Sequence, residues 1–110
     1  MRYQIWTIIA AALFAQSAVA QEPGDVRAGH VFASLHCTEC HAVTPGEDKS
    51  PNADAPPFAK VAVTPGMTGR ALAVWLQSSH PTMPDFLIAQ EDRDNVIAYI
   101  MSLQPPLEHQ

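Results

Sequence analysis

Two thiols and an imidazole stand together at Cys37-Thr38-Glu39-Cys40-His41. Cysteines three positions apart, followed at once by histidine, have the spacing at which a haem is attached to a chain. Each sulfur can form a thioether to one vinyl group of the porphyrin. The two-residue gap lets both reach one edge of the macrocycle from a single turn. The histidine then falls under the ring, where an imidazole nitrogen can bind iron. The chemistry implied is redox, with electron transfer as the leading use.

The same residues serve other chemistries. A Cys-x-x-Cys pair occurs in thioredoxin-like exchange, or as half of a zinc site. The first use wants a strand before the motif and a βαβ pattern around it, and the sequence shows neither. The second needs two more ligands, and both cysteines of the chain are already in the motif. A lone disulfide stays open for an exported chain.

An iron bound by His41 on one face needs a second ligand or keeps an open position. Met83 is the leading candidate. It lies in Pro81-Thr82-Met83-Pro84, where two prolines restrict the backbone and lower the entropic cost of holding a thioether in place. Met67 follows Pro65-Gly66 in a looser stretch, and Met101 falls in a helix, where a methionine suits core packing. His80 is three residues before Met83 and reaches the same space. His30 and His36 precede the motif, and His109 sits in the C-terminal tail.

The elements that must position these groups begin after residue 20. Met1-Arg2 gives a weakly positive start, residues 5–15 are apolar apart from Thr7, and Ala18-Val19-Ala20 is an Ala-x-Ala cleavage site. Residues 1–20 therefore read as a signal peptide. A spanning helix wants about 20 apolar residues, and Gln16 and Ser17 interrupt the run too early, so no transmembrane anchor is expected after cleavage. Residues 21–110 form one small domain, too small to bury a large core unaided. Its aromatic set is thin: Phe32, Phe58, Phe86, Trp75 and Tyr99. A covalently held haem supplies apolar bulk to such a core. Losing Arg2 takes the formal charge from −5 to −6. An acidic domain is a poor nucleic-acid binder and is steered towards basic patches on a protein partner, although the same charge serves solubility alone.

Asp25 caps an expected helix over 26–35 that delivers Cys37. Gly29 within it implies the close approach of another backbone, since glycine otherwise weakens a helix. Residues 44–57 are a proline-rich loop without periodicity. Residues 58–63 suggest one short helical turn before Pro65-Gly66. A further helix starts at Thr68, with Leu72, Trp75, Leu76 and Ser79 on one face, and ends at His80-Pro81. After a second loop, 81–88, a last helix spans 90–103. Its first turn carries Glu91, Asp92 and Asp94, where the helix dipole favours negative charge, and Val96, Ile97, Tyr99, Ile100 and Leu103 form its apolar stripe. With no convincing strand, the fold class is all-α.

In this order of elements the chain resembles the class I c-type cytochromes along nearly all of residues 21–110. The likeness runs through the helix with Gly29, the pentapeptide 37–41, Ala55-Pro56-Pro57-Phe58, a middle helix, Met83-Pro84 and the helix ending Ala98-Tyr99-Ile100-Met101-Ser102-Leu103. It extends to small periplasmic cytochromes of Gram-negative bacteria in Ser50-Pro51-Asn52 and in His80-Pro81-x-Met83-Pro84. The resemblance implies a cytochrome c-like fold, with three to four helices around one haem c held by Cys37 and Cys40. It also implies axial ligation by His41 and Met83, a Pro56 carbonyl that accepts a hydrogen bond from the ligand histidine, Trp75 beside the haem, and Gly29 crossing the last helix near Tyr99 or Ile100. Two departures stand out. Ala33 replaces the aromatic often found four residues before the first cysteine, with Phe32 one place earlier, and the loop after the motif has few lysines. The function implied is a soluble periplasmic single-electron carrier, not an enzyme, exchanging electrons with redox partner proteins. The alternatives are a five-coordinate ligand-binding or peroxidase-like protein, and a dedicated cytochrome subunit of a dehydrogenase or oxidase complex.

Overall fold

The computed structural model describes residues 22–106. The expected signal segment with its Ala18-Val19-Ala20 site, Gln21 and His109 lie outside the described residues. Four helices follow one another: α1 (Val26–His36), α2 (Phe58–Ala62), α3 (Gly69–Trp75) and α4 (Gln90–Ser102). Among the described residues there is no strand, in keeping with the all-α expectation.

Helix α4 organises the rest. Five consecutive residues, Val96 to Ile100, are buried, because α1, α2 and α3 all pack against it. The junction with α1 is fixed at its start. Asp25 is extended, its carboxylate accepts from the Ala28 amide at 2.7 Å, and its own amide donates to Asn95 Oδ1 at 2.7 Å. One turn on, Gly29 lies against the Asn95 carbonyl and the Tyr99 Cβ. The crossing therefore begins at Asn95, four residues before Tyr99. A methyl at position 29 would overlap that carbonyl, which belongs to the backbone and has little freedom to yield. Gly29→Ala should cost about 3 kcal/mol or more, at the upper end of overpacking penalties, read as a lower urea midpoint of the haem-loaded protein with an unchanged m-value.

Helix α1 passes directly into the cysteine motif. Cys37 closes it by donating its amide to the Ala33 carbonyl at 2.9 Å. The Cys40 and His41 amides then both donate to the Cys37 carbonyl, at 3.3 and 2.9 Å, so the pentapeptide forms a turn hung on the helix end. The proline-rich loop is tied back to this turn. Asn52 donates its amide to the Cys40 carbonyl at 3.1 Å, the Ala42 amide donates to Ser50 Oγ at 3.0 Å, and the Phe58 amide donates to the Ala42 carbonyl at 2.9 Å. Tyr99 secures the same region from α4, its hydroxyl donating to the Val43 carbonyl. Burial, and then the Glu47 charge, pushes that hydroxyl's pKa up, which keeps it a donor.

Helix α3 is shorter than its apolar spacing suggests. Thr68 caps it, its hydroxyl accepting from the Ala71 amide at 3.1 Å, but it stops at Trp75, well before His80-Pro81. Gln77 Nε2 and Ser78 Oγ donate to the Ala73 and Val74 carbonyls at 2.7 and 2.6 Å. The Ala73 carbonyl thus takes a side-chain donor in place of a backbone one, while the Gln77 and Ser78 amides tighten onto the Val74 and Trp75 carbonyls three residues back, and the α-helix ends.

Candidate functional site

A cleft runs between the end of α1, helices α2 to α4 and the segment carrying Met83. It comprises two hollows of about 400 and 560 Å³. Both are lined by His36, Cys37, His41, Val61, Leu72, Trp75, Met83 and Phe86. Cys40, Pro56 and Met67 line only the larger one, and Val96 and Ile100 only the smaller. The folding thus brings Cys37, Cys40, His41, Met83, Pro56 and Trp75 to one place from four separate stretches of chain. Its walls are mainly apolar, and its volume lies in the range of small-molecule and cofactor sites.

His41 is held from behind. Its Nδ1 bonds to the Pro56 carbonyl at 2.7 Å. A carbonyl only accepts, so Nδ1 carries the proton, and Nε2 of the neutral ring keeps its lone pair for a metal. Such an outer bond fixes the ring and strengthens it as a donor. The ring also leans on Phe58, centroids 5.2 Å apart. Phe58 is in turn buried against Tyr99, so the imidazole is coupled to the core.

Cys37 and Cys40 are partly buried and both are free. Burial first, then the proximity of Cys40, pushes the Cys37 thiol up to about 11. Reactive exchange cysteines have the opposite tuning, towards thiolate at neutral pH. Cys37 is a neutral thiol on an apolar wall. Among the described residues no group of three or more His, Cys, Asp or Glu side chains converges to hold a metal ion.

The other candidates separate by position. Met83 is half-buried and lines both hollows. Met67 lines only the larger and also packs on the core. Met101 packs on the core and lines neither. His30 lies flat on Tyr99, centroids 4.6 Å apart, and does not line the cleft. Trp75 is half-exposed at the rim, its ring 4.2 Å from that of His80. Sequence reasoning passed over Phe86, Leu87 and Ile88, which wall the smaller hollow. Their signal is a three-residue apolar run just after Met83-Pro84. It also passed over Glu39, Asp54 and Asp92, carboxylates that line the hollows.

The residues present fit a haem. Two free sulfurs and a histidine with a free Nε2 stand on one wall, a thioether stands on the segment that contributes Met83, and the space between is lined mainly by apolar side chains. No family model matches the chain, and no solved structure matches it. A curated relative does. Cytochrome c-552 of Bradyrhizobium diazoefficiens is 36% identical over 101 residues, covering 92% of this chain and 93% of that protein.

Proposed function

Because the chain belongs to the class I c-type cytochromes, we propose that Cys37 and Cys40 hold its one covalent haem c and that His41 and Met83 take the two axial positions on the iron. When bound, the haem supplies a one-electron Fe(III)/Fe(II) couple. The protein is an electron-transfer protein and not an enzyme. Its own residues attach the group, fix its axial environment and exclude water. Pro56 orients His41, Trp75 closes the rim, and residues 21–110 act as a single cytochrome domain.

The observation that carries this reading is the pairing of His41, braced by Pro56 at 2.7 Å, with a methionine that lines both halves of the same cleft. A thioether beside imidazole stabilises the reduced state relative to harder donors. If His41 and Met83 both held the iron, no position would remain for a substrate. The test is spectroscopic. The oxidised protein should show the weak long-wavelength band of thioether-bound ferric haem, the reduced protein should resist carbon monoxide, and the colour should survive acid-acetone extraction. Rapid carbon monoxide binding by the reduced wild type would favour the five-coordinate alternative.

Residues 1–20 have the composition of a cleaved export signal, which supports a soluble periplasmic carrier. Among the described residues no helix is long and apolar enough to cross a membrane. The acidic balance supports redox partners with a basic docking patch. The association rate with such a partner should fall as salt rises, because screening shortens the reach of the attraction to about 8 Å at physiological ionic strength. A rate flat with salt would assign docking to the exposed apolar rim, where Trp75 is 53%, Phe86 48% and Leu87 fully exposed.

A further inference from the structure

Two histidines are built alike. Like His41, His80 bonds through Nδ1 to a backbone carbonyl, that of Ser78, at 2.8 Å. The proton is therefore on Nδ1, and Nε2 of the neutral ring keeps its lone pair. This is the arrangement in which a histidine is held ready for a metal. Nε2 of His80 is buried, and among the described residues it is the one buried side-chain nitrogen or oxygen without a hydrogen-bond partner. Such a group costs free energy and asks for a reason.

The contact with Trp75 gives none: the two rings meet tilted by 32° with centroids 4.2 Å apart, and that ring contact supplies no hydrogen-bond donor to the in-plane lone pair. The place of His80 does. With Met83 it lines a partly open hollow of about 650 Å³ formed by residues 76–80, 83–89 and Arg93; His80 lines neither half of the cleft itself, but Met83 and Trp75, the ring it leans on, line both. The orphan donor thus sits three residues from the cleft methionine, on the same segment. His36 also lines the cleft, but it has no carbonyl brace on its ring and no buried orphan nitrogen.

We infer that His80 is a reserve axial ligand, held beside the cleft by Ser78 and Trp75, whose Nε2 takes the iron whenever Met83 does not. This rests on Met83 being the resident distal ligand. The exchange breaks one iron–sulfur bond and forms one iron–nitrogen bond. In the neutral tautomer that the Ser78 carbonyl selects, Nε2 carries no proton, so the exchange moves no proton and no electron. Its effect is to keep the iron six-coordinate, at a lower potential, when the thioether is lost.

The test compares holoproteins exported and matured as the full chain. Met83→Ala should give a ferric protein that is low-spin by electron paramagnetic resonance, with the near-infrared magnetic circular dichroism of bis-imidazole ligation. Adding His80→Phe, which keeps an aromatic ring on Trp75 but removes the donor, should convert it to high-spin. Met83→Leu, closer in volume to methionine, should show the same split if the alanine variant accumulates poorly. His80→Phe alone should retain the thioether band. High-spin iron in the Met83 variants, whether or not His80 is present, overturns the inference and leaves the Met83 reading intact. A wild type lacking the thioether band overturns the Met83 reading itself, and the reserve role with it.

Discussion

Cys37→Ala combined with Cys40→Ala leaves a chain without native helical packing. The reason lies in what the core contains. Its buried apolar set includes Ala33, Val43, Phe58, Ala62, Leu72, Val96, Ile97, Tyr99 and Ile100, and among the described residues no large side chain is fully enclosed. Val96 and Ile100 belong to that buried cluster, and they also line the smaller hollow. Emptying an enclosed space costs about 24 cal/mol per Å³, so a sealed void of 400 Å³ would cost about 10 kcal/mol. The cleft is open on one side. A third of that cost, about 3 kcal/mol, is still a large share of the roughly 5–15 kcal/mol that holds a domain together. The motif turn also loses its anchor, and with it the register of the 44–57 loop bonded to Cys40 and Ala42. The measurement is far-ultraviolet circular dichroism with a thermal melt of the purified double variant. A cooperative melt with wild-type helicity would show that the chain folds without its attached group.

The parts of this fold that were legible in the sequence are the ones set by local rules. Asp25 and Thr68 announce helix starts because a cap needs only a side-chain oxygen beside free amides. The apolar stripe of α4 is legible because it repeats. Gly29 signals a crossing, but the partner it meets, the Asn95 carbonyl, carries no side-chain signature. The Asp25–Asn95 bond spans 70 residues of chain, and nothing local encodes it. The end of α3 misleads for a related reason. Leu76 and Ser79 keep the apolar and small-residue spacing, while Gln77 and Ser78 compete locally for the carbonyls and stop the helix. At the candidate site, Cys37, Cys40 and His41 are legible from spacing alone. The acceptor on His41 is the backbone of Pro56, and a backbone atom gives no compositional signal; only family resemblance pointed to it. Phe86 to Ile88 show no periodicity, and their place as a wall emerges only when the segment after α3 folds back towards α4.

Met83→Ala should abolish the long-wavelength ferric band and lower the reduction potential by on the order of 0.2 V, about a quarter of the roughly 0.8 V range that axial ligands command. The direction follows from donor chemistry. The thioether is a soft, neutral donor that favours Fe(II), and either a nitrogen or a water oxygen in its place favours Fe(III) more strongly. The drop is therefore expected whether His80 or solvent takes the position. Spin state tells those two apart, and the potential alone does not. Reduced Met83→Ala carrying His80→Phe should also bind carbon monoxide rapidly, which the wild type should not; with His80 in place, carbon monoxide has to displace Nε2 and binds slowly. Met67→Ala and Met101→Ala are the controls. Met67 lines only the larger hollow and Met101 lines neither, so both variants should keep the band and shift the potential little, although each loses packing against the core. A band that survives Met83→Ala and disappears with Met67→Ala would move the distal ligand to the segment following Pro65-Gly66, on the Pro56 side of the cleft. The 81–84 loop would then be a cover over the haem edge, and its two prolines would serve docking in place of ligation.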